Sequence, residues 1–226
     1  MKKSLRPNLP TSGLFKQLAN DAVSRHFRDG QAIFSQGDVA NAIFRVEQGN
    51  VKLSFQPKRG RKAVIAVLRE GECFGEGALI SNALRISTAT SIHRSTIGRV
   101  GKRAMTQRLH AEPAFAKLFT AHLLLRIGQV EGDLVDQLVN SSELRLARLL
   151  LQLCDFGRAV KGIPPAVHVD QGTLAEAVGT TRSRVSFFMN RFRQQGLIDY
   201  NGSIRVHHGL LVFLLGDSAA GKSAVS

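Results

Sequence analysis

Val169-Asp-Gln-Gly-Thr-Leu-Ala-Glu-Ala-Val-Gly179-Thr-Thr-Arg-Ser-Arg-Val-Ser-Phe-Phe-Met-Asn-Arg-Phe192 reads as two helices and the tight turn between them. Asp170 is a good N-cap, and Leu174, Ala175 and Val178 mark the buried side of the first helix. Gly179 supplies the left-handed residue that reverses the chain. Thr180 or Thr181 caps the second helix. Its inner face is Val185, Phe188, Met189 and Phe192, at spacings i, i+3, i+4 and i+7. The opposite face carries Arg182, Ser183, Ser186, Phe187 and Asn190, with Arg184 and Arg191 at its edges. A short exposed helix with hydrogen-bonding and cationic side chains fits a DNA major groove.

The next residues extend the reading. Leu197–Tyr200 and Ser203–Val206 alternate apolar and polar residues around Asn201-Gly202, a strong hairpin signal. The result is a winged helix-turn-helix. Gln171 and Thr181 at the starts of the two helices, and Arg205 on the wing, complete the expected DNA-contacting set. A formal net charge of +14 suits a polyanionic partner. Arg182 is expected to contact guanine or phosphate, and Phe187 a thymine methyl.

No apolar run reaches the length of a membrane span, so a membrane partner is not expected. The basic N-terminus has no apolar core of a secretory signal. The two cysteines, Cys73 and Cys154, build neither a disulfide framework nor a four-cysteine cluster. They read as small core residues of a cytoplasmic protein. No Ser/His/Asp or metal-ligand constellation suggests catalysis, so no enzyme is expected.

Residues from about 20 to 100 have another texture. Glycines at 30, 37, 49, 60 and 71 read as turns between short strands: Ala32–Phe34, Ala42–Val46, Val51–Phe55, Ala63–Leu68 and, late, Ser95–Val100. Strands of this length predict a small sandwich or jelly roll. Lys58–Lys62 reads as a solvated hairpin tip. Glu70-Gly-Glu-Cys-Phe-Gly75-Glu-Gly-Ala-Leu-Ile80 breaks the strand pattern. Its glycines could fold into an anion-binding nest, with Glu76 for a hydroxyl and Arg85 as counter-charge.

Between the two regions lies a helical connector from Pro113 to Val139. Leu123, Ile127, Val130, Leu134 and Leu138 form one apolar stripe. Ala121, Leu125, Gly128, Gly132, Val135 and Val139 form another. A helix apolar on two sides needs two partners, here its own β domain and the same helix of a second subunit. Asn140-Ser-Ser-Glu143 opens a further amphipathic helix to Cys154, followed by a Gly162-Ile-Pro-Pro165 linker.

A glycine-punctuated β-roll, a long helix and a winged helix in this order resemble the catabolite activator/fumarate-nitrate regulator (Crp/Fnr) superfamily of bacterial transcription factors. The resemblance rests on Gly37-Asp-(x5)-Phe44-(x4)-Gly49-Asn-Val51, on Gly71-Glu-Cys-Phe-Gly75-Glu76, and on the Gly179–Phe192 run. It implies an α+β chain with three parts: an N-terminal double-stranded β-helix (a jelly roll of the cyclic-nucleotide-binding type), a dimerisation helix and a C-terminal winged helix-turn-helix. The expected boundaries are 15–110, 111–140 and 141–216, with a disordered tail over 217–226. It also implies a homodimer on an inverted-repeat promoter site, with RNA polymerase as a possible further partner. The cassette around Gly75-Glu76 would be the effector pocket, formed by Gly75, Glu76, Gly77, Ala78, Leu79, Arg85, Ser87, Thr88, Gly128 and Glu131.

Departures from the family pattern argue against cyclic AMP. Arg85 follows Glu76 by nine residues and precedes Ile86. The usual Arg-Thr-Ala-Thr stretch is Ser87-Thr-Ala-Thr90, and Val130-Glu131 stands where the cyclic-AMP binders offer Thr-Ser. The β-roll is therefore expected to sense another small effector or none, with a cyclic nucleotide as the alternative. The cysteines of iron–sulfur members are missing, and His110 and His122 read as surface histidines rather than haem ligands. Ser183 and Phe187 replace the Glu and Arg common in the recognition helix, so the half-site should differ from familiar ones. A non-specific architectural DNA binder is the alternative of another class. Gly216-Asp-Ser-Ala-Ala-Gly-Lys222-Ser223 matches a phosphate-loop pattern, but too little chain follows for the helix such a loop needs.

Overall fold

Period-two patterning builds the N-terminal part. The strands are β1 (Val23–Phe27), β2 (Ala32–Phe34), β3 (Ala42–Phe55), β4 (Ala63–Leu68), β5 (Cys73–Phe74) and β6 (Thr88–Gly101). The computed structural model describes residues 22–60, 62–154, 166 and 168–220, the last five by backbone alone. These residues divide into two compact units, one ending at Val130 and one beginning at Glu131.

The first unit is an antiparallel sheet in the order β1-β6-β3-β4, with β2 on β6 and β5 on β3. Successive residues of β3 face opposite ways, so both faces are buried. Ala42, Phe44 and Val46 join Val51, Leu53, Leu68, Phe74, Ala89 and Ile97 in the interior of the roll. There the rings of Phe34, Phe44 and Phe74 pack with centroids 5.3–5.9 Å apart. Ile43 faces the other way, into a cluster with Cys73, Ala78, Val100, Met105, Phe115 and Phe119.

Two expectations about strands change. Gly49 is not a turn between two strands but a bulge inside the single fourteen-residue β3. Its φ is +88°, and a Cβ there would lie 2.5 Å from Ser95 Oγ and 2.8 Å from the Arg94 carbonyl oxygen. Only glycine fits both the left-handed backbone and the close approach of β6. The late strand begins seven residues before Ser95, at Thr88, and pairs along β3.

β6 runs into α1 (Lys102–Ala111), a polar helix with no strong apolar stripe that buries Met105. Pro113 then opens α2 (Pro113–Val139). Its inner stripe in this unit is Phe115, Phe119 and His122, all buried. Leu123 is partly buried against the same cluster, so part of its surface packs on the β-roll core. Leu124, Ile127 and Val130 are 54–64 % exposed.

The second unit takes in the end of α2 and α3 (Ser142–Leu153), α4 (Gln171–Val178), α5 (Arg182–Gln194), β7 (Ile198–Tyr200), β8 (Ile204–Val206) and α6 (His208–Ala220). Leu146, Leu150, Leu174, Val178, Val185, Met189, Phe192, Ile198, Ile204, Val206 and Leu210 are buried. Ser141, Asp170 and Thr181 each accept a backbone N–H at the start of a helix, which stabilises it by about 1 kcal/mol apiece. Tyr200 pairs with Ile204, so the wing turns over three residues, Asn201 to Ser203, rather than two. The apolar run Leu210–Leu215 is helical, and α6 carries the expected tail as far as Ala220. Gly216 thus sits within a helix instead of a phosphate loop. Residues 221–226, the 162–165 linker and residues 15–21 lie outside the described residues.

Both cysteines are buried and unbridged. Burial pushes the Cys73 thiol well above its ordinary value and that of Cys154 up to about 12, so neither is a ready nucleophile near neutrality. Among the described residues no helix is long and apolar enough to cross a membrane, and no group of side chains could hold a metal ion.

Candidate nucleic-acid interface and effector cassette

The turn between α4 and α5 is set locally. Asp170 caps α4 by accepting from Thr173 N at 2.9 Å and Thr173 Oγ1 at 2.6 Å. Gly179 closes it in the left-handed conformation (φ 71°, ψ 42°). Thr181, not Thr180, caps α5, accepting from Arg184 N at 3.3 Å. Val185, Phe188, Met189 and Phe192 are buried, and Phe192 meets Phe213 of α6 edge-on at 5.6 Å.

This packing turns Arg182, Ser183, Arg184, Phe187, Asn190 and Arg191 outward, with Ser186 half-buried. Three of the four arginines of α5 differ in freedom. Arg182 makes no hydrogen bond or ion pair among the described residues. Arg184 lies 6.0 Å from the Phe188 ring centroid, and Arg191 pairs with Glu143 of α3 at 3.2 Å. Arg205 projects from the exposed position of β8, and Gln171 is half-buried at the start of α4. The wing is braced by His207 on Asp199 at 2.9 Å.

The end of α2 is fixed to this unit. Asp136 is buried, accepts from Asn140 and pairs with Arg148 of α3. Arg145 donates to the Gln137 carbonyl oxygen at 2.8 Å. Leu134, Val135, Leu138 and Val139 stay 58–76 % exposed.

The cassette in the first unit is a single 3-10 turn, Glu76–Leu79, entered through Gly75. Ala78 is buried, Gly77 exposed, and Leu79 packs on the core. Arg85 does not stand free as a counter-charge. Its guanidinium is buried, with Nη2 donating to the Ala42 carbonyl oxygen at 2.7 Å and Nη1 to that of Gly75 at 3.1 Å. It also lies 4.3 Å from the Phe34 ring centroid and 5.3 Å from that of Phe44. A Cβ on Gly75 would come within 2.8 Å of Arg85 Nη1, so the glycine makes room for this arginine.

Glu76 is also engaged. Its carboxylate lies 3.1 Å from His122 Nε2, and His122 is 2 % exposed rather than a surface histidine. Burial pushes the Glu76 carboxyl up. The hydrogen bond with His122, a backbone hydrogen bond and the pull of His122 and Arg126 outweigh it, and the net value falls below the ordinary one. Sequence reasoning missed both His122 and Arg126 as neighbours of Glu76. Their only signal is the four-residue spacing that puts them on one helix face. Ser87 is buried, and Thr88 accepts from Gln36 N at 3.0 Å. Gly128 is open to solvent, as is Glu131 at the start of the second unit.

The comparisons agree with both halves. The family described as "Cyclic nucleotide-binding domain" matches residues 24–112, and the "Crp-like helix-turn-helix domain" matches residues 144–208. The chain belongs to the Crp/Fnr family of transcription regulators. A "Cyclic AMP receptor protein" of Thermus thermophilus is 25% identical over 89% of this chain and 95% of its own length. A "Global nitrogen regulator" of Synechocystis is 28% identical over 92% of this chain and 96% of its own. In fold the chain is similar to FixK2 from Bradyrhizobium japonicum, with a TM-score of 0.71, 19% identity, and cover of 83% and 93% of the two chains. As a Crp/Fnr regulator it carries a DNA-binding helix-turn-helix, and its curated relatives are regulators rather than enzymes.

Proposed function

We propose that this regulator acts as a cytoplasmic homodimer on an inverted-repeat DNA site, without cyclic AMP as its effector. The observation that carries the effector reading is the state of the cassette. Glu76 is held by His122, and the Arg85 guanidinium is held by two backbone carbonyls and two rings. Those are the two side chains a cyclic nucleotide would need for its ribose hydroxyl and its phosphate. Freeing them breaks several buried charge-assisted contacts, each worth about 1.5–3 kcal/mol. The residues present do not fit that ligand, so the β-roll senses something else or acts unliganded.

The dimer reading rests on the exposed apolar residues of α2. A monomer would leave them all in water. A two-fold dimer places two α5 helices about one DNA turn (roughly 34 Å) apart, in successive major grooves. Gln171, Thr181, Arg182, Ser183, Arg184, Ser186, Phe187, Asn190, Arg191 and Arg205 are the contact set. Arg191 must share itself between Glu143 and the DNA. Polymerase contact would make the regulator an activator.

The test is selection of genomic DNA fragments by the full chain with and without cyclic AMP, read by sequencing. The expected result is one inverted repeat, enriched equally in both conditions. Enrichment only with cyclic AMP overturns the effector reading. Uniform recovery of all fragments overturns sequence-specific binding and leaves the architectural alternative.

A further inference from the structure

Phe187 is the one large apolar side chain on the outer face of α5. It is 63 % exposed, while Phe188 and Phe192 on the same helix are 7 % and 0 % exposed. Its helical neighbours toward solvent are Ser183 and Arg184 on one side and Asn190 and Arg191 on the other. Ser183 is too short to reach past the ring. Arg191 is drawn toward Glu143, and Arg184 toward the Phe188 ring. The middle of a strongly basic helix is therefore bare of charge and topped by an aromatic ring. That ring is braced: Phe188 meets it at 5.8 Å and 64°.

A braced, exposed phenylalanine has neither donor nor acceptor. Every base edge in the major groove offers hydrogen-bonding groups, and only one offers an apolar group, the C5 methyl of thymine. The arginines around the ring supply the attraction to phosphate that brings this edge within reach. We infer that Phe187 makes recognition depend on a pyrimidine C5 methyl group at one position of each half-site. Thymine satisfies it, uracil does not, and 5-methylcytosine satisfies it where cytosine does not. Binding thus responds positively to cytosine methylation at that position. This rests on the reading of α5 as the DNA-recognition helix.

The experiment uses the full chain and the half-site found by selection. Each thymine is replaced in turn by deoxyuridine, which removes the methyl and keeps the pairing, and affinity is read by fluorescence anisotropy. One thymine per half-site should lower affinity about four-fold when replaced, and about fifteen-fold when both half-sites change together. A cytosine at that position should regain about four-fold on C5 methylation. Phe187→Ala should bind thymine and uracil duplexes equally, and Phe187→Leu should keep part of the difference. Because the ring is exposed, both variants should keep the wild-type thermal midpoint.

A flat uracil scan on an enriched motif overturns the inference and leaves the regulator reading standing. Uracil sensitivity that persists undiminished in Phe187→Ala also overturns it. Selection that enriches no sequence removes the recognition-helix reading and this inference with it.

Discussion

Leu134→Glu tests the dimer seam directly. Leu124, Ile127, Val130, Leu134, Val135, Leu138 and Val139 of α2 are 54–76 % exposed. Fully burying such a side chain is worth about 1.5–3 kcal/mol, so covering the exposed part is worth about 1 kcal/mol each. Two copies of the stripe give a gross gain on the order of 15 kcal/mol, against roughly 4–15 kcal/mol lost in association. On these figures the proposed dimer is one that a single well-placed charge can undo. In a two-fold interface Leu134→Glu acts twice. It removes about 1 kcal/mol of burial per subunit and places two like charges in the seam, each desolvated at a cost of several kcal/mol. The sum is at least about 5 kcal/mol, between about three and four decades in the dimer Kd. Sedimentation equilibrium at micromolar concentration reads it: wild type at twice the 24.6 kDa chain mass, Leu134→Glu at one. Leu134→Met should stay dimeric. Circular dichroism should show full helix content in both, because Leu134 is exposed in the folded chain. Leu134→Glu sedimenting as a dimer would refute the assignment of this face, and a monomeric wild type would refute the dimer itself.

Gly49→Ala should destabilise the β-roll by about 2–4 kcal/mol, the sum of left-handed strain and a forced shift of Ser95 and Arg94; thermal unfolding of the full chain checks it. Gly132→Ala meets nothing within 4 Å and should stabilise the folded chain by up to about 1 kcal/mol, read as a higher thermal midpoint. Any weakening of the dimer in the same variant, read by sedimentation, would show that the seam needs the glycine. The Glu76 carboxyl is held below its ordinary value, so its contribution is full above about pH 4.5 and fades as pH falls through its lower folded value. Glu76→Gln should therefore flatten the loss of stability on acidification in that window. Isothermal titration with cyclic AMP should give no heat for wild type.

The second unit was largely readable because its determinants are local. Asp170, Gly179 and Thr181 act within four residues of themselves, and the apolar spacing of α5 fixes its inner face without help from elsewhere. The wing was readable for the same reason, one residue of loop aside. The first unit was harder where long-range pairing overrules local signals. Gly49 has the composition of a turn, yet β6 runs past it and makes it a bulge. α1 was missed because little of it is apolar, and Met105 alone among its residues is fully buried.

The effector cassette shows the limit of motif reading most clearly. The motif placed Glu76 and Arg85 in one region, but their partners come from 46 residues downstream, at His122, and 43 residues upstream, at Ala42. Spacing alone could not say whether these charges face a ligand or one another's surroundings. His122 looked like a surface residue because a lone histidine in a helix usually is one. It is buried because the face it shares with Phe115 and Phe119 packs on the β-roll. A buried imidazole needs a polar partner, and Glu76 provides it. The Glu76–Leu79 turn thereby has its acidic side chain engaged by a buried residue of α2. The cassette is thus tied to α2 by this chain's own side chains, Glu76 to His122 at 3.1 Å.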